Sequence, residues 1–349
     1  MAPPETRPTR KRRARPAAWL QTAAGLLVLV AVIGFVVLPR MAGSGQALEL
    51  LERVQPGWVL TGIVLEALSL ISYSLITRRI IREHPPTFSW LLRSDLTGYG
   101  VGRVVPGGGA TATALRYRLL VSGGARPESV TTAIAAQGIG CAVALAAVFW
   151  IVLIPAVVWY GPSTTYVVTW LIGSLLAACG VVAAHERFRL AGPARRALGL
   201  ALRAVPHRWR PRITEVAGQL GRLVTDREAR RAFALWAVLN WVLDAAALWI
   251  FLTAYGHPMN PVALLLAYCL ASLLAILPIT PGGLGVIEGV LIPTLLGFGV
   301  PAGVAALGVV SWRLFQFWLP VPVAGLCYLS LRTPGWRTRA AARRRTGNS

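Results

Sequence analysis

The stretch ITPGGLGVIEG, residues 279–289, combines helix breakers and a carboxylate inside a strongly apolar region of the chain. Proline lacks the N–H that continues a helix and glycine permits a positive φ, so Pro281, Gly282 and Gly283 predict a break. In a bilayer, the backbone groups freed by a break must face protein or a water-filled cavity. The helix that restarts after it directs a partial positive charge at that cavity, where phosphate or carboxylate binds favourably.

The composition is that of a polytopic membrane protein. The chain has 349 residues, of which 55% are hydrophobic and 14% are charged, whereas soluble domains carry about 25% charged residues. A net charge of +22 would suggest a nucleic-acid partner in a soluble protein. Here the arginines lie between apolar blocks, where they set membrane topology. We therefore expect membrane lipids, and no nucleic acid, as partners.

The apolar blocks predict an all-α polytopic membrane protein, because about 20 apolar residues in a helix cross the hydrocarbon core. The eight candidate transmembrane elements are 17–38, 57–77, 129–154, 165–184, 233–255, 262–278, 284–299 and 303–330. The sixth and seventh are short, since 16 or 17 residues rise only about 25 Å against a core about 30 Å thick.

Arginine-rich segments set the predicted orientation. The tail 1–16, the loop 185–231 and the tail 332–349 are basic, whereas 155–164 carries no charge. The positive-inside rule places both termini and the loop in the cytoplasm, around one integral domain, 17–331, of the inner (plasma) membrane. The loop is either a pair of amphipathic helices on the anionic inner leaflet or a basic linker that only sets topology.

The segment 85–128 is too charged for a span and too apolar and glycine-rich for an ordinary loop. Both of its flanks lie on the cytoplasmic side, so we expect it to enter and leave the membrane there. Within it, Pro106, Gly107 and Gly108 repeat the later PGG triplet at an offset of 175 residues. Paired interruptions at corresponding positions indicate a transporter-like binding site, and chance similarity between glycine-rich segments is the alternative.

The pair 262–278 and 284–299 is compatible with two arrangements. Two full spans would place the second PGG break near the cytoplasm. A re-entrant hairpin from outside would instead place it at mid-membrane, facing the segment 85–128 as an inverted counterpart. The shortness of both helices favours the hairpin.

Ionisable residues at membrane depth are functional candidates, because they are costly there. Glu288 lies in the first turn after the second break, where it either caps the helix or binds a cationic headgroup or a proton. Arg313 is its expected partner. Glu66 and Asp244 are expected either as polar contacts between helices or as members of a polar relay.

Three arginines flank the first break, namely Arg103, Arg116 and Arg118. A guanidinium group matches phosphate bidentately, so these residues are candidates for binding lipid phosphate. Arginines that snorkel to the interface are the alternative. Because Arg116 and Arg118 are two residues apart, they do not share one helix face, and we expect them to differ in surroundings.

Enzyme motifs are missing from the sequence. The four histidines are scattered, no H-E-x-x-H or G-x-x-x-x-G-K-[ST] occurs, and each of the four cysteines stands alone in an apolar block. We therefore predict a protein that is not an enzyme, with no catalytic residue, metal site or cofactor.

Two motifs resemble those of a known family. LPITPGGLGVIEG, at 277–289, is similar to the signature of the lysylphosphatidylglycerol synthase transmembrane, or flippase-like, family. GRVVPGGGATATALRYRLLVSGG, at 102–124, resembles its earlier motif, although no acidic residue follows the glycines here. The resemblance extends over most of the chain and implies movement of lipids or lipid-linked sugars between leaflets. Some members carry a cytosolic aminoacyl transferase, but only 18 residues follow Leu331, so we expect a stand-alone member.

The sequence thus predicts a flippase or translocase of the bacterial inner membrane. The two PGG breaks would frame a polar cavity in which arginines meet lipid phosphate and Glu288 meets a cationic headgroup or a coupling proton. The alternative is an accessory protein that scaffolds an enzyme of envelope lipid or glycan synthesis through the basic loop. Assembly into an oligomer is left open.

Overall fold

The computed structural model describes residues 56–82, 85–105, 108–160, 225–276 and 280–332, and this part of the chain is helical. Its helices are α1 (Pro56–Ile80), α2 (Phe88–Val104), α3 (Gly108–Ser122), α4 (Pro127–Tyr160), α5 (Arg227–Ala254), α6 (Pro261–Ala275), α7 (Val286–Gly297), α8 (Ala302–Arg313) and α9 (Pro320–Arg332). The predicted spans 17–38 and 165–184, and nearly all of the basic loop, lie outside the described residues.

Four helical segments are long and apolar enough to cross a membrane. They are α1 with 25 residues, Pro127–Ile154 of α4 with 28, α5 with 28, and Ala302–Arg332 with 31. The last one joins α8 to α9 through a π-helical turn, Leu314–Trp318. The described residues therefore form eight helical segments, and the four long ones confirm a multi-pass helical membrane protein.

The segment 85–128 forms an antiparallel hairpin of two short helices, α2 and α3. Near the open end of this hairpin, Trp90 Nε1 donates to the Leu119 carbonyl oxygen at 2.9 Å. Farther along, Arg116 Nε donates to Asp95 Oδ1 at 2.6 Å. The first PGG motif lies in the sequence between Val104, where α2 ends, and α3, which begins at the last glycine of the motif.

The short predicted spans 262–278 and 284–299 form a second hairpin, of α6 and α7. Their 15 and 12 residues correspond to a rise of roughly 22 and 18 Å. Between them lies a 3₁₀ turn, Pro281–Gly283. Gly282, Gly283 and Gly285 have φ values of 61°, 70° and 80°, a region that favours glycine. The PGG motif therefore ends one helix and begins another.

The tips of both hairpins lie at the middle of the long segment Ala302–Arg332. Arg313 Nε donates to Glu288 Oε1, at the start of α7, at 2.6 Å. Only four residues join the other ends of α7 and α8, so these helices are antiparallel. From the opposite direction, Arg103, near the end of α2, donates through Nη1 to Gln316 Oε1 at 3.1 Å. The hairpins thus approach from opposite ends of the bundle, as an inverted pair.

The two ends of the bundle differ in charge. The end where α1 stops and α5 begins carries Arg78, Arg79, Arg82, Arg126, Arg227, Arg230, Arg231 and Arg332. At that end Asp226 caps α5 by accepting the N–H groups of Glu228 and Ala229, and the bond from Ala229 is the largest cause that lowers its pKa. At the opposite end, the described connections 255–260 and 298–301 contain no arginine, lysine or acid.

Glycines allow the long helices to approach closely where they cross. A Cβ at Gly62 of α1 would lie 2.6 Å from the Phe251 ring of α5. A Cβ at Gly308 of α8 would lie 2.5 Å from Leu252 Cδ2. Small residues at such crossings permit close van der Waals packing, which drives helix association in membranes.

Candidate functional site

Polar side chains from both hairpin tips meet side chains of α1, α5 and α8 near the centre of the bundle. We call this group the polar cluster. It comprises Glu66, Tyr99, Arg103, Asp244, Tyr268, Glu288, Trp312, Arg313 and Gln316. The sequence predicted five of its members as site residues, and the structure brings these five together.

Glu288 and Arg313 form an ion pair that fixes the tip of the α6–α7 hairpin. Arg313 is only 4% exposed, and its Nη2 also donates to the Gly283 carbonyl oxygen at 3.2 Å. The Glu288 carboxylate accepts the Gly285 N–H at 2.7 Å through Oε2. Glu288 therefore caps α7 and pairs with Arg313, the partner expected from the sequence, while its binding of a cationic headgroup or a proton stays a prediction.

Arg103 is the cluster's other cation, and it has no ion pair among the described residues. Its guanidinium group donates to two neutral acceptors, Gln316 Oε1 and the Tyr99 hydroxyl. It also lies 3.9 Å from the Tyr99 ring centroid and 4.8 Å from that of Phe317. These contacts position the group without neutralising its charge, so it remains able to attract an anion.

Glu66 and Asp244 lie side by side between α1 and α5. Asp244 accepts hydrogen bonds from the Tyr268 hydroxyl at 2.8 Å and from Trp312 Nε1 at 2.7 Å. Glu66 is 5% exposed and interacts with Asp244, while its Oε1 has no hydrogen-bond partner. The sequence predicted polar contacts between helices or a relay at these two positions, and the structure places them in contact.

Arg116 belongs to a separate buried network inside the basic half of the bundle. Its guanidinium group binds Asp95, Thr77 and Gln137, with the first two contacts at 2.6 and 2.7 Å. Gln137 in turn donates to the Tyr73 carbonyl oxygen at 2.7 Å. The Asp95 counter-ion balances the guanidinium charge, so this network does not support a role for Arg116 in phosphate binding, and that role stays a prediction.

The remaining predicted residues take different positions. Arg118 is exposed on α3, on a different face from Arg116, as the two-residue spacing predicted. Pro106 and Gly107 lie outside the described residues, and Gly108 begins α3. Pro281, Gly282 and Gly283 form the turn at the tip of the second hairpin, where Arg313 contacts the backbone.

A mostly apolar groove of about 560 Å³ opens near the uncharged end, between α1, α5 and α8. Ile63 lines it one turn of helix before Glu66. The stacked rings of Phe251 and Phe315, whose centroids are 5.4 Å apart, also line it. Its walls could hold an acyl chain beside the polar cluster.

Four members of the polar cluster were not predicted from the sequence. Tyr99, Tyr268, Trp312 and Gln316 carry hydroxyl, indole or amide groups, which occur in many transmembrane helices. Gln316 alone had a usable signal, because an amide within the apolar span 303–330 requires a hydrogen-bond partner. Asp95, which pairs with Arg116 outside the polar cluster, lies in a charged segment. Its sequence position therefore gave no indication of its partner.

Comparison with known proteins identifies the family. Residues 22–324 match the protein family described as the lysylphosphatidylglycerol synthase TM region. The chain belongs to this family. It is 25% identical over 320 residues to a UPF0104 membrane protein of Methanothermobacter thermautotrophicus, covering 84% of this chain and 91% of that protein. It is 28% identical over 102 residues to the inner membrane protein YbhN of Escherichia coli, covering 29% and 31%.

Proposed function

We propose that this protein moves a phospholipid or a lipid-linked glycan precursor between the leaflets of the cytoplasmic membrane, without enzymatic chemistry. One observation carries the proposal. Two hairpins from opposite ends of the bundle meet at a polar cluster that contains Arg103, a cation whose hydrogen bonds within the described part of the chain go to neutral acceptors. A lipid phosphate supplies the anion that such a group attracts, and alternating access would open a cluster at the middle of the bundle to each side in turn.

The charge difference between the two ends supports an orientation. Cytoplasmic ends of membrane helices are enriched in arginine, so the arginine-rich end faces the cytoplasm in this proposal. The α2–α3 hairpin is then re-entrant from the cytoplasm, and the α6–α7 hairpin is re-entrant from outside. The headgroup would cross at the polar cluster while the acyl chains stay in the bilayer or in the groove.

The proposal assigns different tasks to the predicted lipid-binding residues. Arg103 meets the phosphate at mid-membrane, whereas the exposed Arg118 meets headgroups at the surface. Glu288 and Arg313 hold the hairpin tip in place, and a cationic headgroup would compete with Arg313 for the Glu288 carboxylate. The assignment of Glu288 and Arg313 follows from their ion pair, and that of Arg118 from its exposure.

Reconstituted liposomes test the proposal. Fluorescent phospholipid in the inner leaflet becomes accessible to an impermeant quencher only if the protein moves it across the bilayer. We expect Arg103→Gln to slow this by about tenfold or more, because a charge-assisted hydrogen bond to phosphate contributes about 1.5–3 kcal/mol. Glu288→Gln should also slow it, because it removes the ionic partner of Arg313.

The control is Arg231→Gln, which removes the same charge from an exposed position at the arginine-rich end. It should translocate lipid at the wild-type rate. If wild-type protein matches empty liposomes across a panel of phospholipids and lipid-linked glycans, the transport proposal is wrong. The accessory role in envelope synthesis then becomes the leading hypothesis.

A further inference from the structure

Glu66 combines deep burial with an unused hydrogen-bonding atom. The residue lies in the middle of α1 and is 5% exposed, and its Oε1 has no hydrogen-bond partner in the described part of the chain. A buried polar atom normally has a partner, because leaving one unsatisfied costs free energy. An ionised carboxylate in this position would carry the larger cost, whereas a protonated one is neutral.

The groups that face Glu66 come from every neighbouring element. Asp244 of α5 lies beside it, and Tyr268 of α6 and Trp312 of α8 hydrogen-bond to Asp244. Arg103 and Tyr99 of α2 interact with it electrostatically. Helix α4, which also packs against α1, carries Glu128 as its only charged residue, in its first turn and far from Glu66.

The cluster's charges do not balance when every group is ionised. Glu66, Asp244 and Glu288 supply three carboxylates, while Arg103 and Arg313 supply two guanidinium groups. The ion pair between Glu288 and Arg313 is self-contained. That leaves Arg103 with two neighbouring carboxyl groups, which repel each other when both are ionised.

We propose that Glu66 and Asp244 hold one proton between them, and that this proton is linked to phosphate binding at Arg103. With a phosphate on Arg103, its positive charge is neutralised and the pair retains the proton. When the phosphate leaves, the positive charge of Arg103 is no longer neutralised. It then stabilises the ionised forms of both Glu66 and Asp244, and the proton is released. This linkage rests on the proposed function and supplies its coupling ion.

The proton step is an acid–base reaction that needs no other reactant. An O–H bond forms on the Glu66–Asp244 pair as a proton arrives from water, and the same bond breaks on release to water. The groove offers the entry route, because Ile63 on its wall lies one helical turn from Glu66. The hydroxyls of Tyr255 and Ser311, which are 2.7 Å apart, line that groove.

Infrared spectroscopy of the purified protein in phospholipid vesicles tests the proton itself. A carboxyl group that is protonated at neutral pH gives a C=O stretching band that shifts in D₂O. We expect this band in wild type and its loss in Glu66→Gln. The matched control, Glu128→Gln, should keep it. Gel-filtration profiles and thermal unfolding midpoints would show that each variant is folded.

Binding of short-chain phosphatidylglycerol tests the linkage, because its phosphodiester does not titrate near neutral pH. We expect uptake of protons from a weakly buffered solution as lipid binds. The apparent affinity should rise by up to about tenfold for each unit that pH falls, as one linked proton requires. In Glu66→Gln both effects should vanish while binding persists.

The two failures are distinguishable. Lipid binding and transport without the infrared band or proton uptake would overturn the proton site and leave the transport proposal intact. A Glu66-dependent band in a protein that neither binds nor moves any lipid would overturn the linkage and the transport proposal, leaving only a buried protonated carboxyl group.

Discussion

Arg103 and Arg116 lie in the same hairpin, but of these two only Arg116 has an ion pair within the described part of the chain. Arg116 pairs with Asp95 in a buried network, so Asp95→Ala would leave a guanidinium group buried without its counter-ion. Breaking a buried pair in this way typically costs about 3–5 kcal/mol. We expect a large decrease in the thermal unfolding midpoint of Asp95→Ala protein in detergent micelles.

An exposed ion pair in the same protein provides the control. Arg82 and Asp226 are 3.5 Å apart, with side chains 60% and 41% exposed. Such pairs contribute little, because solvent screens them, and Arg82→Gln should barely move the midpoint. Equal midpoints for Asp95→Ala and Arg82→Gln would show that the buried network does not hold the hairpin together.

At the scale of the element, two glycines in the α6–α7 turn separate backbone strain from steric fit. Gly282 and Gly285 both have positive φ, which costs a residue with a Cβ roughly 1–2 kcal/mol. A Cβ at Gly282 would also lie 2.3 Å from the buried Phe317 ring, which packs against Arg103. Among the described residues other than its two chain neighbours, none has an atom within 4 Å of a Cβ at Gly285.

We therefore expect Gly285→Ala to lower the free energy of unfolding only by the backbone strain. Gly282→Ala should lower it by about 1–3 kcal/mol more, because the new methyl group overpacks against Phe317. The thermal midpoints of both variants measure stability, and liposome transport rates measure the displacement of Arg103. Gly282→Ala should have the lower thermal midpoint and the lower transport rate of the two variants. Equal effects would mean that Phe317 moves aside freely, and that the turn does not fix the position of Arg103.

At the scale of the whole molecule, the sequence predicted the helical class and the break positions because their signals are local. Apolar length indicates a span, and a PGG triplet disfavours a continuous helix because proline lacks an N–H and glycine permits a positive φ. The partners of Arg116 and Arg103 depend on which helices become neighbours, and local patterns do not encode that. Asp95 pairs with Arg116 only because α2 and α3 fold back on each other.

The paired geometry of the hairpins could be anticipated for a related reason. In the proposed arrangement, the helices of 15 and 12 residues turn back within the membrane, because they are too short to cross a hydrocarbon core about 30 Å thick. The depth of the turn is visible only in three dimensions. Arg313 contacts the Gly283 carbonyl oxygen near the middle of the 31-residue segment Ala302–Arg332.

The inverted arrangement predicts which ends of the two hairpins share a side of the membrane. In a protein whose own cysteines are replaced, single cysteines would be introduced at Ser122, Arg231, His257 and Ala302. We expect His257→Cys and Ala302→Cys to react with an impermeant thiol reagent added to intact spheroplasts, because both lie at the uncharged end. Ser122→Cys and Arg231→Cys should react only after the membrane is permeabilised.

Ser122→Cys provides the decisive result, since Ser122 is the last residue of the α2–α3 hairpin. Its reaction in intact spheroplasts alongside His257→Cys would mean that this hairpin crosses the membrane, and the inverted pair would be wrong.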